Sequence, residues 1–152
     1  MTNNDILRRL RYTFDFNDDT MISIFALADQ EVTRAQISDW LKKEDAEGYV
    51  RLDDRELAVF LNGFINKQRG KREGEQPAPE EKLNNNIIFR KLKIALNLKD
   101  FDIIDILQLA DFRLGKAELN AFFRKPNHNH YRRCKDQILR NFLHGLQIKY
   151  RK

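Results

Sequence analysis

Asn85-Asn86-Ile87-Ile88-Phe89-Arg90 repeats the pattern of Asn3-Asn4-Asp5-Ile6-Leu7-Arg8, 82 positions earlier. The same offset lays Leu109-Ala110-Asp111 over Leu27-Ala28-Asp29. It also lays Phe142-Leu143-His144-Gly145 over Phe60-Leu61-Asn62-Gly63, and no gap is needed anywhere. About 22 of roughly 65 paired positions are identical, and many others exchange one apolar residue for another. An ungapped match of that length marks two copies of one unit.

Each copy reads as four helices. In the first, Ile6, Leu7, Leu10 and Phe14 fall at helical spacing behind Asn3 or Asn4, both good N-cap types. A second helix starts near Asp18 and turns Met21, Ile22, Phe25 and Ala28 inward. Thr33 with Gln36, and Asp53 with Glu56, are capping boxes that open the third and fourth helices. Ile37, Trp40 and Leu41 line the third helix, and Leu57, Phe60, Leu61, Phe64 and Ile65 the fourth. The second copy offers Ile88, Phe89, Leu92 and Leu96, then Leu119, Phe122 and Phe123, then Leu139, Phe142, Leu143 and Leu146. A glycine inside a helix costs about 1 kcal/mol against alanine. Gly63 and Gly145 repeat that cost at matched positions, which implies a close helix crossing there. No segment alternates with period two, so the expected fold is all-α: two tandem pseudo-symmetric repeats packed together.

The expected boundaries are residues 1–68 for the first repeat, 69–83 for a linker and 84–152 for the second. The linker, from Arg69 to Glu81 and beyond, mixes Gly, Pro and charge with almost nothing apolar, the composition of a solvated connection. A unit of roughly 65 residues is marginal alone, so the copies are expected to pack about a pseudo-two-fold axis.

Charge separates the copies. Of 152 residues with a net charge of +5, residues 1–68 hold 9 basic and 13 acidic side chains, and residues 84–152 hold 15 and 6. The contrast peaks before the last helix. The first copy reads Glu44-Asp45-Ala46-Glu47-Gly48-Tyr49-Val50-Arg51, and the second Pro126-Asn127-His128-Asn129-His130-Tyr131-Arg132-Arg133. Arg124, Lys125 and Lys135 flank the second version. Such a cluster of Arg, Lys and His suits phosphate contacts with RNA or DNA, with His130 or Tyr131 stacking on a base. Tyr49 matches Tyr131, which favours an anchoring role for that ring. The first helices add Arg8, Arg9 and Arg11, matched by Arg90, Lys91 and Lys93. These are candidates for a continuous basic stripe, or for an ordinary solvated helix face.

Other chemistry is not called for. His128 and His130 with Cys134 form a fragment of a metal site, opposed by four cationic neighbours. Cys134, opposite Leu52, reads as a structural thiol. There is no Gly-rich phosphate loop and no nucleophile elbow. Asp18-Asp19 and Asp53-Asp54 read as helix starts rather than an acid–base pair. One cysteine excludes an internal disulfide, and no apolar run is long enough to span a membrane. Met1 to Asp5 shows no signal-peptide pattern, so a cytoplasmic protein is expected.

Several of these stretches resemble the YehS-like family. They are Asn3-Asn4-Asp5-Ile6-Leu7-Arg8, Trp40-Leu41-Lys42-Lys43-Glu44-Asp45, Phe60-Leu61-Asn62-Gly63, Asn85-Asn86, and Pro126-x-His128-x-x-Tyr131 followed by Cys134 and Asp136-Gln137-x-Leu139-Arg140. The resemblance covers nearly the whole chain. It implies a bacterial cytoplasmic protein with a duplicated domain, and it carries over no catalytic residue and no cofactor. Lys135, where a small residue is expected, is a departure that makes this loop more basic.

The functional expectation is a non-enzymatic binding module. Its site residues are Arg124, Lys125, His128, His130, Arg132, Arg133 and Lys135, with Arg90, Lys91, Lys93, Arg8 and Arg11 from the first helices. RNA or DNA is the first candidate partner. The alternative is a protein-interaction or self-assembly module, in which the acidic loop of one molecule meets the basic loop of another.

Overall fold

A computed structural model describes residues 1–151 of the chain. The helices are α1 (Asn3–Phe14), α2 (Asp18–Leu27), α3 (Arg34–Leu41), α4 (Asp54–Arg69), α5 (Asn85–Ala95), α6 (Asp100–Leu109), α7 (Lys116–Phe122) and α8 (Asp136–Tyr150). No strand occurs among the described residues. The duplication extends to backbone detail. Asp15 and Asn97, and likewise Asp29 and Asp111, take left-handed conformations at matched positions. Asp and Asn tolerate that geometry at helix ends better than bulkier residues.

The capping boxes at Thr33/Gln36 and Asp53/Glu56 form as the sequence predicts. The first helix starts differently. Thr2 is its N-cap: the Thr2 hydroxyl accepts from the Asp5 N–H, and the Asp5 carboxylate accepts from the Thr2 N–H. α2 starts at Asp18, as the sequence predicts, and Asn17 is its N-cap. Asn3 and Asn4 are the first two residues of α1, where their side chains do something else.

Asn4 is buried, and its amide donates to the carbonyls of Trp40 and Val50, both at 2.9 Å. Its oxygen accepts from the Leu52 N–H at 3.0 Å. Asn3 donates to the Leu52 carbonyl and to Asp54. The dipeptide thus ties α1 to the end of α3 and to the segment leading into α4. Asn85-Asn86 repeats the arrangement. Asn86 donates to Phe122 and Arg132 and accepts from Cys134, and Asn85 donates to Cys134 and Asp136. Backbone groups buried in an irregular segment need such partners.

Gly63 and Gly145 mark close crossings. A Cβ on Gly63 would stand 2.8 Å from the Ile24 carbonyl carbon, and one on Gly145 would stand 2.9 Å from that of Ile106. Thus α2 lies on α4, and α6 on α8. The copies then exchange partners: α4 packs on α5, and α8 packs on α1. Phe14 bridges the copies, with its ring centroid 5.2 Å from those of both Phe64 and Tyr150. Within the first copy, Phe25 stacks on Trp40 and meets Phe60; within the second, Phe89 meets Phe142 at 4.5 Å. Burying each such Leu or Phe is worth about 1.5–3 kcal/mol, and each copy finds part of that burial in the other. Phe14, Ile22, Ala28, Leu41, Ile65, Leu96 and Phe123 are partly buried at the edges of this core.

The connection after Arg69 holds no helix, as its composition predicts, but its second half is docked rather than simply solvated. Gln76 accepts from Asn66, Pro77 and Glu80 lie along the groove between α4 and α5, and Pro79 lines a small cavity with Ala28 and α4. Glu80 pairs with Lys91 at 3.0 Å, at an angle that leaves the Glu80 oxygen without a true hydrogen bond. The Leu83 N–H donates to Asp54 at 2.8 Å. Prolines bring no backbone donor to this connection, so these side-chain contacts set its path.

Candidate functional site

The basic loop is positioned from behind by Asn86. Its amide holds the Arg132 carbonyl at 2.8 Å, and its oxygen holds the Cys134 N–H at 2.9 Å. The Arg132 N–H donates to the Ala121 carbonyl at 3.1 Å. The backbone on either side of Arg133 is therefore fixed, while the side chains of Arg132, Arg133 and Lys135 stand in solvent. Two turns, closed by His128 N–H to the Lys125 carbonyl and Tyr131 N–H to the His128 carbonyl, shape the stretch before it.

Beside this loop lies an open groove of about 850 Å³. Ala117, Ala121 and Phe122 of α7 form one wall, Ile138 of α8 another, and Arg124, His130, Arg132, Arg133 and Lys135 form the rim. Among the described residues, Glu118 is the one carboxylate that lines it. Among the described residues, none of these rim cations is within ion-pair distance of a carboxylate. The matched positions of the first copy explain why. Asp39 stands where Ala121 does, Asp53 where Lys135 does, and Glu56 where Ile138 does. There, Asp39 pairs with Lys42 at 2.7 Å, and Lys42 is the counterpart of Arg124. The second copy has lost the carboxylates and kept or added the cations.

The predicted residues separate into two groups. Arg124, Lys125, His128, His130, Arg132, Arg133 and Lys135 are exposed and gather around the loop, with the rings of His128 and His130 5.6 Å apart. Tyr131 is half-buried, in keeping with an anchor. The first-helix cations are engaged within the chain. Arg8 donates to the Lys42 carbonyl and pairs with Asp5, closing the end of α3. Arg90 does the same for α7 through the Phe123 carbonyl, which places it one residue from Arg124. Lys91 bonds Asn62 and pairs with Glu80. Lys93 lies over the Phe123 ring at 4.5 Å and faces Asp100. Arg11 is partly buried, and its Nε has no partner.

Cys134 is buried beneath the loop, opposite Leu52 in the other copy, and burial pushes its thiol up to about 12, with Asp136 adding to the effect. It faces the core, away from the exposed histidines. Among the described residues, no group of three or more His, Cys, Asp or Glu is placed to hold a metal ion. Asp136 is held below the ordinary carboxylate range by the Asn85 amide, with the N-terminal ammonium, Arg140 and Arg133 adding to it. It stays ionised at the N-terminus of α8, where the helix dipole favours negative charge. No described helix is long and apolar enough to cross a membrane.

Ala117, Ala121 and Ile138 escape a search for charged motifs, because they contribute floor rather than charge. The comparison of the two copies carries the signal for two of them, since Ala121 and Ile138 replace acidic residues.

The chain is similar to a curated relative described as uncharacterized protein YehS from Escherichia coli (strain K12). The two are 47% identical over 151 residues, covering 98% of this chain and 96% of the relative. No solved structure matches. The family model described as protein of unknown function (DUF1456) matches twice, over residues 3–70 and again over residues 85–152. Two matches in the two helical repeats, and a relative of that likeness over nearly its full length, establish that the chain belongs to the DUF1456 family.

Proposed function

We propose that this protein is a bacterial cytoplasmic, non-enzymatic binding module whose second repeat holds the backbone of a nucleic acid. The observation that carries the reading is the groove rim. Arg124, Arg132, Arg133 and Lys135 surround an open concavity with no ion pair among the described residues, on a backbone fixed by Asn86. Unpaired guanidinium groups suit phosphate oxygens, which they can bond in pairs. Ala121, Phe122 and Ile138 give the groove an apolar side against which a base can rest, and the exposed His130 ring supplies a stacking surface.

Fluorescence anisotropy with single-stranded RNA, single-stranded DNA and duplex of equal length tests this. Affinity falls steeply as salt rises. Replacing Arg132 and Arg133 together by alanine flattens the slope by about 0.7 per lost phosphate contact on a single strand. Absence of binding to all three at low salt overturns the reading.

A second reading rests on the acidic loop. Glu44, Asp45 and Glu47 are exposed and also have no ion pair among the described residues. Docking of that loop into the basic groove of another molecule makes a head-to-tail contact that propagates unless it closes into a ring. Light scattering decides: association that dissolves with salt supports it, and a constant monomer mass removes it.

A further inference from the structure

The exchange of partners between copies creates two related grooves, one between α4 and α5 and one between α8 and α1. The first is occupied by the chain's own connection, with Glu80 against Lys91 and the Leu83 N–H on Asp54. The offset of 82 places Arg9 where Lys91 stands, Met1 where Leu83 stands and Asp136 where Asp54 stands. The geometry follows that correspondence: the Met1 ammonium lies 3.8 Å from Asp136. The second groove, of about 500 Å³, is open and lined by Arg9, Tyr12, Arg140 and Leu143 among others. Arg9 lines this groove, and one of its guanidinium nitrogens, Nη1, is buried with no hydrogen-bond partner. Arg140 stands at the position of the buried Ala58, is exposed, and has no ion pair among the described residues.

A buried donor with no partner costs free energy that a matching acceptor recovers. The twin groove shows which charge fits this frame: the Glu80 carboxylate, paired with Lys91 at 3.0 Å and carried on a proline-containing connection. Arg140 adds a cation to the second groove, and Asp5, the carboxylate in its lining, is already paired with Arg8, so the free charge there is positive. Tyr12 supplies wall where Ile94 stands in the twin groove, which Pro77 also lines.

We infer that the α1–α8 groove docks an acidic, proline-containing extended segment of a partner protein, bound as the chain's own linker is bound between α4 and α5. The first carboxylate meets Arg9 and a second meets Arg140. This site shares no lining residue with the Arg132–Arg133 groove and does not depend on the nucleic-acid reading.

The probe is an acetylated peptide with the sequence of residues 74–83, titrated into the isotopically labelled full-length chain. Amide shifts centred on Arg9, Tyr12, Arg140 and Leu143 are expected. Exchanging the peptide's Glu80 and Glu81 for glutamine, or Arg9→Gln in the protein, weakens binding about tenfold or more, as loss of a charge-assisted pair predicts. Arg140→Ala, on an exposed side chain, weakens it without touching the fold and covers the case in which Arg9→Gln does not fold. Three results overturn the inference. One is shifts confined to Asn62, Asn66 and Lys91, meaning that the peptide only displaces the resident linker. Another is no shift at millimolar peptide. The third is inorganic phosphate reproducing the α1–α8 shifts while the peptide produces none there, which would make this a small-anion site.

Discussion

The carbonyl of Ile24 occupies the space in which a side chain on Gly63 would begin. The same relation holds between Ile106 and Gly145, so the two crossings are built alike.

Alanine at Gly63 or Gly145 is therefore expected to destabilise, although alanine favours helix by about 1 kcal/mol. The methyl group meets backbone, which cannot rotate away, and forcing α2 off α4 costs about 1–3 kcal/mol or more. Urea denaturation of each single variant reads this. A stability equal to or above that of the parent would show the crossing to be looser than described.

Asn86→Ala should cost roughly 2–4 kcal/mol, because it strands the Phe122 and Arg132 carbonyls and the Cys134 N–H in one step. Asn86→Asp keeps the acceptor and loses both donors, so it should destabilise as well. Amide exchange at Arg132 to Cys134 should quicken in both variants. Unchanged exchange there would mean that the loop is held by other contacts.

The Cys134 thiol titrates near 12 in the folded chain against an ordinary 9.0. Above pH 9 the unfolded chain loses this proton first, so stability should fall with rising pH between about 9 and 12. The slope reaches at most ~1.4 kcal/mol per pH unit from this group. Below pH 9 the group contributes no slope. Comparing Cys134→Ala with the parent across that window isolates the effect. Ellman's reagent at pH 8 should react slowly until denaturant is added.

Restoring the first copy's carboxylates to the second should switch the groove off. Ala121→Asp with Lys135→Asp rebuilds the pattern in which Asp39 pairs with Lys42. Anisotropy should show affinity for a single-stranded oligonucleotide falling at least tenfold, since two counter-charges appear and one phosphate contact goes. The circular-dichroism spectrum should not change. Retained affinity would place the contacts elsewhere.

Much of the scaffold was readable because the relevant signals are local or duplicated. Thr33 with Gln36 and Asp53 with Glu56 are cap chemistry written within four residues. Gly63 and Gly145 were readable because a costly residue recurs at one offset. Asn3 and Asn4 misled for a physical reason. The same side chain that caps a helix also satisfies distant carbonyls, and only the fold shows that Trp40 and Val50 are in reach. The linker misled in the same way, since Glu80 is just another surface charge until Lys91 is beside it. For the site, the cluster around Arg132 and Arg133 was legible as composition. The internal engagement of Arg8, Arg90 and Lys91 was not, because the Lys42 and Phe123 carbonyls and the Asn62 side chain to which they donate lie 29 or more positions away.

The crossing of α4 onto α5 and of α8 onto α1 has a consequence for how such a chain diversifies. One unit by itself would complete its core only as a symmetric dimer, in which every substitution appears twice and a loop must serve both addresses with the same charge. Fusion into a single polypeptide lifts that obligation. Thereafter one face can turn negative and its sibling positive, and one furrow can be covered while the other stays accessible, with the shared interior left alone.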